Sequence, residues 1–183
     1  MSYSTQNSLL LNKLMTFYKE SDNLDKILPI INGESKISLR LIDWFVTNFS
    51  KKNYIVYTIK SREQPRRFNV YIDYKLKLKA YSKRRFDPFC RWDRITIPYK
   101  DNYQIQTTIG QLNFFKWALE HNIIKHIKTN YDRIENDMNN RNSTARKKHD
   151  NSKQKTRKKR EELSVSATKS IKTEHVEIVV KFK

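Results

Sequence analysis

FNVYIDYKLKLKAYSKRRF, residues 68–86, decides the fold because it supports two readings. Phe68, Val70, Ile72, Tyr74, Leu76 and Leu78 recur at every second position, the period of a half-buried strand. Val70, Tyr71, Tyr74, Leu78 and Tyr81 also form a stripe at helical spacing. The length of the segment and its Lys, Leu and Ala content favour a helix.

Working outward, Ser8 to Lys19 places Leu10, Leu11, Leu14, Met15 and Tyr18 at helical spacing. Asp22 can cap a second helical turn that leads to Ile27 and is expected to stop at Pro29. Asn32-Gly33 is the clearest turn signal. Ser38 to Phe49 reads as a helix with Leu39, Ile42, Phe45, Val46 and Phe49 on one face. Tyr54 to Ile59 alternates like a strand. Beyond the central segment, FDPFCRWDR (86–94) is an aromatic loop containing Pro88. Ile95 to Tyr99 and Ile105 to Ile109 read as short strands. Thr107 or Thr108 then caps a helix with Leu112, Phe115, Trp117, Ala118 and Leu119. A break near His121-Asn122 leads to a further helix carrying Ile123, Ile124, Ile127, Tyr131 and Ile134.

The expected fold is therefore α+β: a mostly helical small domain, residues 1–138, with a small antiparallel sheet. Residues 139–162 read as a disordered basic linker, since the run NNRNSTARKKHDNSKQKTRKKR has no aliphatic side chain larger than Ala145. Residues 163–183 regain strand composition, with Val176, Ile178, Val180 and Phe182 at period two. That strand either returns to the domain or pairs with another chain.

The chain has 183 residues and a formal net charge of +19, from 38 Lys and Arg against 19 Asp and Glu. Most of that excess lies in two blocks: residues 60–87 carry +7 and residues 141–160 carry +9, which leaves the rest of the chain near neutral. An excess of this size points to a polyanionic partner. Two glycines argue against a glycine-rich phosphate loop. A single cysteine, Cys90, excludes an internal disulfide and a Cys-based zinc site, and no local signature makes it a nucleophile. The N-terminus lacks the basic stretch and long apolar run of a signal peptide, so neither secretion nor a membrane role is expected.

Four features are candidates for function. The first is the basic-aromatic block Arg66, Arg67, Lys75, Lys79, Lys83, Arg84 and Arg85. On one helix, Lys75, Lys79 and Lys83 would form a ridge about 5–6 Å between neighbours, close to the spacing of phosphates along a strand. The alternative is a solvated helix face. The second is the 86–94 loop, where Trp92 could stack on a base and Arg91 clamp a phosphate. An internal lock of alternating charges is the favoured alternative there. The third is residues 107–127, a possible helix-turn-helix with Lys125, His126 and Lys128 on its second helix. Core helices joined by a bend are the commoner outcome. The fourth is the linker, whose Arg146, Lys147, Lys148, Arg157, Lys158, Lys159 and Arg160 resemble a nucleic-acid arm or a nuclear-localisation cluster. The aspartates show no metal-binding spacing, so neither metal nor cofactor is expected, and the protein is read as no enzyme.

Four strings taken together, NLDKILPIINGESKISLRLIDWFVTNFSKKN, YKLKLKAYSKRRFDPFCRWDRI, TTIGQLNFFKWALEHNII and ELSVSATKSIKTEHVEIVVKF, resemble a family of small proteins from nucleocytoplasmic large DNA viruses, the giant (mimivirus-like) viruses. AYSKRRFDPFCR, residues 80–91, is the most specific of them. The resemblance implies a viral setting, with genome handling in the host cytoplasm or packaging in the virion, and brings no catalytic residues. The expected function is non-enzymatic, electrostatic binding of viral DNA or RNA, with DNA the favoured partner. The alternative is a virion or viral-factory scaffold that self-associates through its C-terminal strand.

Overall fold

The computed structural model describes residues 2–19, 22–59, 64–100, 103–150 and 172–175, with side chains over 6–19, 22–59, 64–100 and 104–141. The elements, in chain order, are α1 (Ser2–Lys19), α2 (Asn23–Asn32), α3 (Leu39–Trp44), a π-helical turn (Phe45–Phe49), α4 (Ser50–Lys52), β1 (Val56–Ile59), β2 (Arg66–Asn69), α5 (Val70–Phe86), β3 (Arg94–Pro98), β4 (Tyr103–Thr108), α6 (Ile109–Glu120), α7 (Ile123–Thr129), α8 (Tyr131–Asp150) and β5 (Lys172–His175). The architecture is the expected mostly helical α+β fold, with two small antiparallel sheets rather than one. One is the β1–β2 pair and the other has the order β3-β4-β5.

The decisive segment is a helix, but its first two residues belong to β2. Phe68 pairs with Tyr57 across the β1–β2 ladder. Asn69 then caps α5, its side-chain oxygen accepting the Ile72 N–H at 3.1 Å. At Ser82, φ 65° and ψ 165° interrupt the helix, so Lys83 to Phe86 form a separate turn.

Helix α6 is the centre of the core. Ile109, Leu112, Phe114, Phe115, Trp117 and Ala118 are buried, and so are Gln111 and Asn113. A helix apolar on nearly every side belongs inside a protein. Thr108 caps it by accepting the Gln111 N–H. Trp117 collects Phe68, Tyr74, Phe86, Phe114 and His121 around its indole, with ring centroids 5.7–6.2 Å apart. Distant elements are tied to the same helix: the Tyr18 hydroxyl donates to the Leu112 carbonyl at 2.7 Å, and the Asn113 amide donates to the Arg85 carbonyl at 2.9 Å.

Three sequence expectations are corrected. Pro29 does not stop α2, which runs on to Asn32 because Ile27, Leu28, Ile30 and Ile31 are all buried and outweigh one missing backbone bond. The helix expected over 38–49 contains the π-helical turn and continues to Lys52. Helix α8 extends to Asp150, across the first part of the segment read as disordered linker. Residues 131–138 are anchored by the buried Ile134, and Trp44 and Lys52 both donate to the Asp137 carboxylate. Once nucleated, a helix propagates cheaply through residues such as Ala145, Arg146, Lys147 and Lys148, where neither Gly nor Pro intervenes.

At the C-terminal end, β5 lies antiparallel to β4, with Lys172 opposite Gln106 and His175 opposite Tyr103. The strand expected at Val176–Phe182 lies outside the described residues.

Gly110 opens α6 where the end of α5 crosses it. A Cβ there would sit 2.9 Å from the Arg84 carbonyl and 3.1 Å from that of Asp87, both backbone atoms that cannot swing aside. Gly110→Ala is expected to destabilise the fold by about 1–3 kcal/mol, read as a lower urea midpoint at unchanged m-value. An unchanged midpoint would refute this packing constraint.

Candidate nucleic-acid interface

The cations of residues 66–91 fall in different places. Arg66 and Arg67 lie exposed on β2. Lys75 and Lys79 are exposed on α5, one turn apart. Lys83 lies past the break at Ser82, so the three lysines do not form one ridge. Val70 to Tyr81 spans about 17 Å of helix, which separates an N-terminal group (Arg66, Arg67, Lys75) from a C-terminal one (Lys83, Arg84, Arg91).

Arg85 turns inward. Its Nε donates to the Asn7 side chain at 2.8 Å and one terminal nitrogen donates to Gln6 at 3.1 Å, which pins α1 to the end of α5. Arg84 lies over the Trp92 ring, 4.0 Å from its centroid, so one face of that indole is taken by a guanidinium. Arg91 is exposed. Arg146, Lys147 and Lys148 lie along α8, while Arg157, Lys158, Lys159 and Arg160 are outside the described residues.

The acids of the block, Asp73 and Asp87, are half-buried and already hydrogen-bonded. Asp73 accepts the Trp117 indole N–H at 2.7 Å, and Asp87 accepts the Phe89 backbone N–H at 2.9 Å. Elsewhere the cations find partners, as in Lys52–Asp137, Lys100–Asp25, Lys116–Glu120 and Arg141–Asp137. Among the described residues no salt bridge reaches Arg66, Arg67, Lys75, Lys77, Lys79, Lys83, Arg84 or Arg91.

Sequence reasoning missed the contribution of residues 51–54. The Lys51 ammonium lies 5.7 Å from the centre of the Tyr71 ring and that of Lys75 lies 6.0 Å from it, so two cations from different helices share one aromatic. Lys51-Lys52-Asn53-Tyr54 is itself a short basic-aromatic string, and that was the available signal.

The possible helix-turn-helix resolves into core structure. Asn122 makes the bend in the left-handed conformation, φ 57°. Ile123, Ile124 and Ile127 of α7 are buried, and the His126 ring stacks on Tyr57, 4.9 Å between centroids. Burial lowers the pKa of both His121 and His126, favouring their neutral forms. Lys125 and Lys128 instead border a cleft of about 400 Å³ between α2, α6 and α7, with Ile30, Leu119 and Ile124 in its lining. Its acid, Asp25, is held below the usual carboxylate range by hydrogen bonds from Lys100 and Tyr99.

Among the described residues, no three His, Cys, Asp or Glu side chains gather where a metal ion could sit. No described helix is long and apolar enough to cross a membrane.

The fold defines a small, mostly helical α+β protein. The chain belongs to DUF7197, a family of unknown function whose model matches residues 2–179. Over 131 residues it is 44% identical to "Uncharacterized protein L507" of Acanthamoeba polyphaga mimivirus, a match covering 69% of this chain and 51% of that protein. The resemblance to giant-virus proteins seen in the sequence is thereby borne out, and the match spans about half the length of the relative. No solved structure matches the chain.

One half-buried acid, Asp43, sets a pH response. Burial, and secondly the Asp87 charge, push the Asp43 carboxyl up to about 6. The fold therefore favours its protonated form; that contribution is complete below the ordinary value of 3.8 and is lost as pH rises through about 6. At neutral pH the ionised group is a cost. Asp43→Asn is expected to raise stability at pH 7.5 by about 1–3 kcal/mol, with little change at pH 3.5, as read from denaturant midpoints. A variant no more stable than the parent at pH 7.5 would contradict this.

Proposed function

We propose that this is a non-enzymatic nucleic-acid-binding protein of a large DNA virus, holding viral DNA or RNA by charge. One observation carries the reading: among the described residues no salt bridge reaches the exposed cations of 66–91, while the half-buried Asp73 and Asp87 accept hydrogen bonds from the Trp117 indole and the Phe89 backbone. A solvated face made only for solubility has no need to sequester its own counter-charges. Arginine forks and lysine ammonium groups in this state exchange condensed counterions for phosphates. The sequence adds further basic residues over 141–160, and the match to a mimivirus protein is consistent with a genome to bind. The host cytoplasm or the virion is the corresponding location.

A second reading, a virion or viral-factory scaffold, draws on β5. It is an edge strand of the β3-β4-β5 sheet, and its outer edge has no strand partner among the described residues. Such an edge can pair with a second copy. A concentration-dependent mass in light scattering without nucleic acid would favour this reading.

The test is fluorescence anisotropy of a short labelled oligonucleotide across about 50–200 mM salt. Affinity is expected to fall by orders of magnitude over that range. Replacing Arg66, Arg67, Lys75 and Lys79 together by Gln should flatten the log–log salt slope by about 3–4. Absence of binding at low salt, or binding indifferent to salt, would end the proposal.

A further inference from the structure

Two helices in this protein end in the same way, with different residues at the critical position. After α2, the Glu34 N–H returns to the Pro29 carbonyl at 2.8 Å, and the residue just past the helix is Gly33, at φ 79°. After α4, the Ile55 N–H returns to the Ser50 carbonyl at 3.2 Å, and the equivalent residue is Tyr54, at φ 50°. Both carry the long return bond of a Schellman-type end, whose left-handed position is the place for Gly or Asn. A bulky residue there is strained. Nor does burial repay the strain, since Tyr54 is 73% exposed. Asn53, a residue that tolerates this conformation well, stands one position too early.

The ring is therefore held out in water at a conformational cost, and its surroundings are basic. The Ile55 carbonyl accepts the Val70 N–H at 3.2 Å, which brings the backbone at Tyr54 beside the start of α5. Tyr71, with Lys51 and Lys75 near its ring, lies at that start, and Arg67 and Arg66 stand further along β2, opposite Thr58 and Ile59. On the outward face of α5, Ile72 and Leu76 are 49% and 59% exposed, one turn apart and flanked by Lys75 and Lys79. An exposed aromatic ring, exposed apolar side chains and cations that no salt bridge reaches among the described residues lie just before β1, along β2 and on the first turns of α5.

We infer that this face binds single-stranded nucleic acid, with Tyr54 as the residue on which a base stacks and Lys51, Lys75, Arg66 and Arg67 on the phosphates. Resting on the proposed function above, the inference names the substrate class of the same surface. Duplex bases already stack on one another and offer no free face, whereas an unpaired base offers its π-surface to any exposed ring. The apolar components would have no role against a duplex backbone.

The experiment compares labelled oligothymidylate with a duplex of equal length, using the full chain, Tyr54→Gly and Tyr54→Phe. The single strand should bind more tightly. Tyr54→Gly should weaken that binding roughly five- to a hundredfold without altering the salt slope, and leave duplex affinity unchanged. Its melting midpoint should rise, because the left-handed position regains its preferred residue. Tyr54→Phe should bind like the parent. If Tyr54→Gly keeps full single-strand affinity, or loses single-strand and duplex affinity equally, the inference is overturned while the polyanion-binding proposal stands. If neither nucleic acid binds at low salt, both fall.

Discussion

The hydrogen bond from the Trp117 indole to Asp73 fixes how α5 meets α6. Trp117 lies in α6, the helix around which the core is built, and Asp73 is one of two acids among the described residues of the basic block. A buried indole N–H needs an acceptor, and a carboxylate is a strong one. Because Asp73 turns inward to meet it, the rotation of α5 is set. Val70 and Tyr74 follow it into the core, while Lys75, Leu76 and Lys79 face out. The bond thus helps to build the core and removes a counter-charge from the surface.

The close approach at Gly110 works toward the same end. It seats the start of α6 against the carbonyls of Arg84 and Asp87, so the loop carrying Arg91 and Trp92 leaves from a fixed point. The β1–β2 hairpin adds the other border. Phe68 packs beneath it, 4.5 Å from the His121 ring, with Arg66 and Arg67 exposed above. The exposed cations proposed to meet a polyanion come from β2, from α5 and from the turn past Ser82, and the aromatic core holds these elements in place.

Much of the fold could be read from the sequence, and what could not has physical causes. Residues 68–86 are helical because Lys, Leu and Ala favour it, although Asn69 spends its side chain as a cap and so returns Phe68 to a strand. RRFN carries only one apolar residue, too few to show β2 by pattern. Nothing in Tyr81-Ser82-Lys83 signals a left-handed residue, and the break there depends on tertiary packing. The cations were visible as a run, yet their fates were not. Arg85 is captured by Gln6 and Asn7, roughly eighty positions away. Lys51 joins the face through Tyr71, a contact that no local window contains. The exposed strain at Tyr54 emerges only when the backbone is compared with that at Gly33.

The central claim is that one face, rather than net charge alone, meets the polyanion. Lysine-reactive footprinting read by mass spectrometry, with and without bound oligonucleotide, tests it directly. The account predicts that Lys51, Lys75 and Lys79 become protected, while Lys26, Lys125 and Lys128, beside the cleft between α2 and α7, keep their reactivity. Equal protection of both groups, or protection confined to the cleft, would contradict it.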